Sequence, residues 1–140
     1  MELAIPDREI KPAISVNPRI LVVDDDPSVL HLLCTVLQAK SYHVETAANG
    51  LEGLRKFNRQ GADTVLLDVR IPGLDGLELC EAIREHSNVP VVFITGTGRG
   101  ILRTHMPQLT CALGATCFMD KPINTHQLLN LVSELIPQDT

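Results

Sequence analysis

The sequence feature that most constrains the fold is a short apolar run at residues 65–67, VLL, which ends on a single carboxylate, Asp68. A continuous aliphatic run of this length, bounded by turn residues, is typical of a strand that is buried on both faces. A Pro-Gly pair at 72–73 and an Asp-Gly pair at 75–76 then break the chain into a loop. Open α/β sheets bind their ligands at the carboxyl ends of such strands. Asp68 is therefore the first candidate for a functional residue.

A second group of acids follows another apolar run, earlier in the chain. Residues 19–23, RILVV, predict a buried first strand that leads directly into Asp24, Asp25 and Asp26. Pro27 favours the first position of a helix, with Asp26 as its cap. The residues of this helix that we expect to face the core are Val29, Leu32, Leu33, Val36 and Leu37.

Three further strands are predicted at residues 42–47, 89–95 and 116–120. The intervening helices each begin with a side chain that can cap them: Asn49 with Glu52 in capping-box position, Asp75 with Glu78, and Asn124. Residues expected to face inward are Leu51, Leu54 and Phe57 in the second helix, Leu79, Cys80 and Ile83 in the third, and Leu128, Leu131, Val132 and Leu135 in the last.

The segment between the fourth and fifth strands has a weaker pattern. Pro107 prevents one continuous helix over residues 101–114, because proline lacks the amide and clashes with the preceding turn. We expect a loop or short turn through residue 106, and then a helix that carries Leu109, Ala112 and Leu113.

Five strands that alternate with about five helices predict βαβ units in a doubly wound α/β fold, with a parallel sheet and helices on both faces. The flavodoxin-like strand order 2-1-3-4-5 fits this count. It places the first and third strands side by side, so Asp24, Asp25 and Asp68 should converge. Residues 1–18 are interpreted as an N-terminal extension or linker, 19–137 as the one domain and 138–140 as a C-terminal tail.

Composition argues against several classes of protein. A formal net charge of −5, with three Phe, one Tyr and no Trp, disfavours a nucleic-acid surface. No apolar run reaches transmembrane length, and the N-terminus does not have the pattern of a secretory signal. We therefore expect no direct contact with nucleic acid or membrane. The widely spaced cysteines are interpreted as thiols of a reducing cytoplasm: Cys34, Cys80, Cys111 and Cys117.

The acids predicted to converge would repel one another unless a cation lies among them. Mg²⁺ prefers oxygen ligands, and Mn²⁺ accepts the same kind of site. We expect Asp25, Asp68 and the backbone carbonyl of Arg70 to bind the metal directly. Asp24 would bind it directly or through a water molecule.

Phosphoryl transfer needs an aligned nucleophile and positive charge on the transferred oxygens. With Asp68 as the nucleophile, the cation neutralises one oxygen, Lys121 reaches a second and the hydroxyl of Thr95 reaches the third. Gly96 leaves space for a donor or a water molecule. Each residue also has a structural interpretation: Asp24 as a helix cap, Asp68 as a loop carboxylate, Thr95 as a strand-end hydroxyl and Lys121 as a solvated lysine.

Together these residues resemble the receiver domain of bacterial two-component response regulators, over about residues 19–137. The residues that carry the resemblance are Asp24, Asp25, Asp68, the segment 71–76, Thr95 and the pair Lys121 and Pro122. The resemblance implies that a sensor histidine kinase or a histidine phosphotransfer protein donates a phosphoryl group to Asp68, with Mg²⁺. It implies a cis bond between Lys121 and Pro122. It also implies that the domain catalyses only its own phosphorylation and dephosphorylation, and is no stand-alone enzyme.

The resemblance further implies a switch: phosphorylation draws Thr95 toward Asp68, and Phe118 turns into the vacated space. Phe118 lacks the hydroxyl of the more usual tyrosine, and ordinary core packing is the alternative. The signal would pass to an effector domain or a partner protein, and homodimerisation is a further option. We expect no effector within this sequence after the last predicted helix, and we interpret the chain as either a single-domain regulator or part of a longer protein.

Two other functions stay open at this point. A Mg²⁺-dependent phosphatase also uses an aspartyl nucleophile, but usually has a second Asp two residues later, where this chain has Arg70. A degenerate receiver that only scaffolds a partner would not need the full set of acids, threonine and lysine.

Overall fold

The computed structural model describes residues 17–71, 73–96 and 117–136, and for Thr95 only the backbone. The strands are β1 (Arg19–Val23), β2 (His43–Ala47), β3 (Thr64–Asp68), β4 (Val91–Thr95) and β5 (Cys117–Asp120). The helices are α1 (Pro27–Gln38), α2 (Gly50–Gln60), α3 (Gly76–Arg84) and α4 (Thr125–Leu135). Among these residues, no helix has the length and apolar character needed to cross a membrane.

The five strands form one parallel sheet in the order β2-β1-β3-β4-β5, which confirms the predicted order. The register of β1 and β3 pairs Val23 with Leu67, so the carboxyl ends of the two strands lie side by side. The residue after β1 is Asp24, and the last residue of β3 is Asp68. The pairing therefore brings these two carboxylates to one edge of the sheet.

Helices cover both faces of the sheet, and each face has its own core. Side chains of β1 alternate between the two: Leu21 and Val23 pack with residues of α2 and α3, whereas Ile20 and Val22 pack with residues of α1 and α4. Each fully buried aliphatic side chain stabilises the fold by roughly 1.5–3 kcal/mol relative to leaving it exposed. The two cores hold the sheet rigid beneath its carboxyl edge.

Side-chain caps define where the helices begin. Asp26 accepts a hydrogen bond from the amide of Ser28 at 2.9 Å, and Pro27 occupies the first helical position. Asn49 caps α2 and Asn124 caps α4, as predicted. Asp75 and Glu78 form a reciprocal capping box at α3. These caps satisfy amides that have no partner within the helix.

Some local predictions were wrong. Leu32 and Leu51 were expected in the core but are 39% and 53% exposed. β4 begins at Val91 rather than at residue 89, because Pro90 has no amide to donate, although its carbonyl accepts from the amide of Val65 at 2.9 Å. β2 begins one residue later than predicted, at His43. The helix expected to carry Leu109, Ala112 and Leu113 lies outside the described residues.

Candidate functional site

Three carboxylates form a cluster at the carboxyl edge of β1 and β3. One oxygen from each of Asp24, Asp25 and Asp68 lies within 4.8 Å of the others. Asp24 and Asp68 are only 2% and 7% exposed, whereas Asp25 faces solvent. The predicted convergence of these acids is confirmed, and the cluster opens to water on the side of Asp25.

Asp24 is held by its backbone and by its side chain. Its amide donates to the carbonyl of Ala47 at 3.0 Å, which ties it to the end of β2. Its Oδ1 accepts a hydrogen bond from the amide of Asp26 at 2.9 Å. The Oδ2 atom faces Lys121 instead. The carboxylate therefore has a fixed orientation before any ligand binds.

Asp68 ends β3, where the chain turns into the loop that precedes α3. Its Oδ1 accepts a hydrogen bond from the amide of Arg70 at 3.1 Å. Gly76 packs directly on this backbone: a Cβ there would overlap the carbonyl oxygen of Asp68 and lie 2.8 Å from the Cα of Val69. The amide of Gly76 donates to the carbonyl of Val69 at 3.0 Å, which closes the loop.

Lys121 bridges the two buried acids. Its Nζ lies 2.9 Å from Oδ2 of Asp24 and 3.1 Å from Oδ2 of Asp68. The peptide bond between Lys121 and Pro122 is cis, as the resemblance implied. Gly96 makes room for the lysine, because a Cβ at this position would lie 3.3 Å from its Cδ. The lysine thus serves as an internal counter-ion.

Burial and charge act in opposite directions on these groups. Burial raises the pKa of Asp68, and the hydrogen bonds from the Arg70 amide and from Lys121 offset this effect only in part. Partial burial by itself would lower the pKa of Lys121, but the bonds to Asp24 and Asp68 outweigh it and raise the pKa. Lys121 is therefore charged at neutral pH, and a further cation beside Asp68 would favour the ionised form of its carboxylate.

The donor set fits a small, hard divalent cation. All three groups of the cluster are carboxylates, and hard cations such as Mg²⁺ prefer oxygen ligands. Three carboxylates opposed by one lysine leave two formal negative charges, which a divalent cation would balance. The solvent-facing position of Asp25 leaves room for the water molecules that Mg²⁺ usually retains. The acid cluster can therefore hold a metal ion.

Two further predicted residues lie on the neighbouring strands. Thr95 ends β4, and its backbone pairs in register with Asp120 of β5. Phe118 pairs with Phe93 and packs, half-buried, against the core on the side of α2 and α3. Four strands thus bring Asp24, Asp68, Thr95 and Lys121 to one edge of the sheet. The hydroxyl contacts of Thr95 and the movement of Phe118 stay predictions.

A family model for the response regulator receiver domain matches residues 20–133. This chain belongs to the response regulator receiver family. It is 41% identical over 118 residues to the transcriptional regulatory protein CpxR homolog of Haemophilus influenzae. The matched region covers 84% of this chain and 50% of that protein. It is 34% identical over 115 residues to the probable transcriptional regulator ycf27 of Guillardia theta, 82% of this chain and 44% of that protein. The chain spans about half the length of these curated relatives.

Solved structures show the same fold. The chemotaxis protein CheY4 of Vibrio cholerae superposes with a TM-score of 0.77 at 31% identity, and the match covers 86% of this chain and all of that chain. The predicted doubly wound α/β fold is therefore confirmed by sheet order and by structural similarity.

Sequence reasoning missed three contacts around the acids. It assigned Lys121 to a phosphoryl oxygen, but the lysine also pairs with Asp24 at 2.9 Å. It did not foresee the bond from Asp24 to Ala47, nor the close packing of Gly76 on Asp68. The only signal for the last contact was a glycine at the start of a helix, where it costs helix stability and so needs a reason. The carbonyl of Arg70 as a metal ligand stays a prediction.

Proposed function

We propose that this receiver domain accepts a phosphoryl group on Asp68 from a phosphohistidine, and that the reaction depends on Mg²⁺, or on Mn²⁺ in its place. The phosphohistidine belongs to a sensor histidine kinase or a histidine phosphotransfer protein. The observation that carries this proposal is the cluster of three carboxylates bridged by Lys121. A carboxylate in this cluster can receive a phosphoryl group only if positive charge offsets the added negative charge. Lys121 supplies one positive charge, and the other two acids would hold the cation that supplies the rest.

Asp68 acts as the nucleophile. One of its carboxylate oxygens attacks phosphorus in line with the donor imidazole nitrogen, so a P–O bond forms as the P–N bond breaks. The donor ring, already protonated on its other nitrogen, takes the electron pair of the P–N bond and leaves as neutral imidazole. The amide of Arg70 and the ammonium of Lys121 already hold the two oxygens of Asp68. This arrangement reduces the reorganisation that the attack requires.

The remaining residues balance the charge of the transferred group. Lys121 turns from Asp24 and Asp68 toward one phosphoryl oxygen, and Thr95 offers its hydroxyl to another. Asp24, Asp25, Asp68 and the carbonyl of Arg70 would hold the Mg²⁺. When bound, Mg²⁺ supplies positive charge to the acids and to a phosphoryl oxygen.

The phosphorylated domain then signals to another protein surface. In this proposal Thr95 moves toward the phosphoryl group on Asp68 and Phe118 fills the space it leaves. The output is an effector domain or a separate partner, with homodimerisation as one route. Two of the relatives are transcriptional regulators about twice as long as the region they share with this chain, which supports an effector in the whole protein.

The domain acts on no external substrate in this proposal, and is no stand-alone enzyme. It catalyses the gain and loss of its own phosphoryl group. We place it in the cytoplasm, where soluble kinase domains supply the donor and where reduced cysteines are the rule.

The proposal is tested by intact mass after incubation with Mg²⁺ and a small phosphodonor such as acetyl phosphate. Wild type should gain the mass of one phosphoryl group, and Asp68→Asn should gain none. Asp63→Asn is the matched control, because Asp63 precedes β3 at the end opposite Asp68, and among the contacts described its carboxylate accepts only from the amide of Arg19. A wild-type chain that stays unmodified, or an Asp68→Asn chain that is modified equally, would refute phosphorylation at this site.

A further inference from the structure

The connection between β2 and α2 carries none of the acids, yet it contacts both loops that do. At its beginning, the carbonyl of Ala47 accepts the amide of Asp24 at 3.0 Å. At its end, Gly50 packs against Leu74, in the loop that follows Asp68. We define residues 47–50 as the inter-loop clamp. It contacts both the loop that follows β1, which carries Asp24, and the loop that follows Asp68, but it supplies no metal ligand itself.

The contact of Gly50 with Leu74 is between backbones. A Cβ on Gly50 would overlap the carbonyl oxygen of Leu74 and lie 2.7 Å from its carbonyl carbon and 2.8 Å from its Cβ. A carbonyl group cannot move aside as the end of a flexible side chain can, so any larger residue must displace the loop or the helix. Gly50 is the first residue of α2, and this close approach is a physical reason for a glycine at that position.

The clamp itself is rigid, so the loop is the part that would yield. Oδ1 of Asn49 accepts the amide of Glu52 at 2.9 Å, and Oε1 of Glu52 accepts the amide of Ala48 at 2.8 Å. Lys56 donates from Nζ to the carbonyl of Thr46 at 2.5 Å. These bonds tie the clamp and the end of β2 to the first two turns of α2, so the orientation of the clamp depends on β2 and α2.

A shift of Leu74 would reach the acid cluster along the short loop that it belongs to. The loop is closed by the bond from the amide of Gly76 to the carbonyl of Val69 at 3.0 Å. Within it, the amide of Arg70 holds Oδ1 of Asp68 at 3.1 Å. Arg70 and Leu74 belong to the same loop, so we expect a displacement of Leu74 to change the position of Arg70 relative to Asp68.

We propose that Gly50 is a positioning residue for the acid cluster. By allowing the clamp to touch the backbone of Leu74, it sets the distance between the loop that carries Asp24 and the loop that carries Arg70. This inference rests on the proposed function, since it assigns Gly50 a role in Mg²⁺ binding and in phosphorylation of Asp68. Groups that orient metal ligands without touching the metal commonly change affinity by an order of magnitude or more when altered.

Two glycine-to-alanine substitutions in the same helix separate this role from a general effect on stability. In Gly53→Ala the new Cβ would lie 3.0 Å from Cγ2 of Val23 and 3.2 Å from Cδ2 of Leu79, so it meets side chains at distances that a shift of a few tenths of an ångström would relieve. Gly50→Ala meets backbone instead. We expect Gly50→Ala to weaken Mg²⁺ binding, measured by calorimetry, by about tenfold and to slow acetyl phosphate labelling to match, whereas Gly53→Ala changes neither more than about twofold.

A second pair of variants covers the case in which Gly50→Ala does not fold. Glu52→Ala removes the acceptor for the amide of Ala48 and loosens the clamp without adding bulk, and Glu52→Gln keeps an acceptor oxygen while removing the charge. We expect weaker Mg²⁺ binding in Glu52→Ala and recovery in Glu52→Gln.

The inference is overturned if a folded Gly50→Ala binds Mg²⁺ as wild type does, or if Gly53→Ala weakens binding equally. It is also overturned if Glu52→Ala and Glu52→Gln behave alike. Absence of Mg²⁺ binding and labelling in wild type would instead refute the proposed function, so the two failures are distinguishable.

Discussion

The ammonium of Lys121 lies 2.9 Å from the carboxylate of Asp24, and this ion pair joins the end of β5 to the end of β1 across the sheet. The same ammonium lies 3.1 Å from Asp68, so one positive charge is shared by two buried acids. In the absence of a metal, the lysine supplies part of the positive charge that the cluster needs. Lys121 and the proposed Mg²⁺ would act on the same carboxylates, and their effects on stability and on binding can be measured separately.

Replacement of Lys121 by methionine should change stability and metal affinity in opposite directions. Loss of the ammonium leaves two buried acids without their partner, and we expect the free energy of unfolding to fall by up to about 3 kcal/mol. Mg²⁺ should bind several-fold more tightly, because the cluster becomes more negative. Urea unfolding and calorimetry measure these two quantities. Lys40→Met is the control, since Lys40 is exposed and lies in the turn after α1. Weaker Mg²⁺ binding in Lys121→Met would contradict the counter-ion role.

The capping box of α3 should contribute to stability independently of the acids. Asp75 accepts the amide of Glu78 at 2.9 Å, and Glu78 accepts the amide of Asp75 at 3.1 Å. We expect Asp75→Ala to lower the free energy of unfolding by about 1 kcal/mol, whereas Asp75→Asn keeps most of it because asparagine also caps helices. Urea unfolding of both variants is the measurement, and equal losses would argue against the cap.

Glu52 should make part of the stability depend on pH. The bond from the amide of Ala48 is the main cause that lowers the pKa of Glu52, and Lys56 adds to it. A carboxyl group with a lowered pKa stabilises the fold above its unfolded pKa, and this contribution is lost as pH falls through the folded pKa. The free energy of unfolding of wild type should therefore exceed that of Glu52→Gln by about 0.5 kcal/mol or less at neutral pH, because the carboxyl group of Glu52 is partly exposed. The difference should disappear in acid, and a difference that grows as pH falls would show the sign to be wrong.

The sequence predicted the fold and the place of the site well because both depend on strand ends. Buried runs that stop at Asp24, Asp68 and Thr95 can be recognised by composition, and a parallel sheet brings strand ends together. Helix faces were predicted less well. Leu32 and Leu51 fit the helical period but lie at the margin of the apolar stripe, where a small rotation of the helix exposes them.

Contacts between loops were the part that sequence could not supply. Glu52 was placed in a capping box with Asn49, but it reaches the amide of Ala48 instead, and the choice depends on the path of the chain before the helix. The packing of Gly50 on Leu74 joins residues far apart in sequence, and nothing in the local pattern of either segment shows it. Such contacts depend on the path that each connecting loop takes in the folded protein.

In the proposed function, Asp68 can receive phosphate because a divalent cation lies among Asp24, Asp25 and Asp68. The most direct test is the rate of Asp68 phosphorylation by acetyl phosphate as a function of free Mg²⁺, compared with the dissociation constant of Mg²⁺ measured by calorimetry. We expect the rate to be negligible in EDTA and to reach half its maximum near that dissociation constant, with both shifted together to higher Mg²⁺ in Asp25→Asn. Phosphorylation at full rate in EDTA, or a rate that does not follow Mg²⁺ binding, would refute the role proposed for the cation.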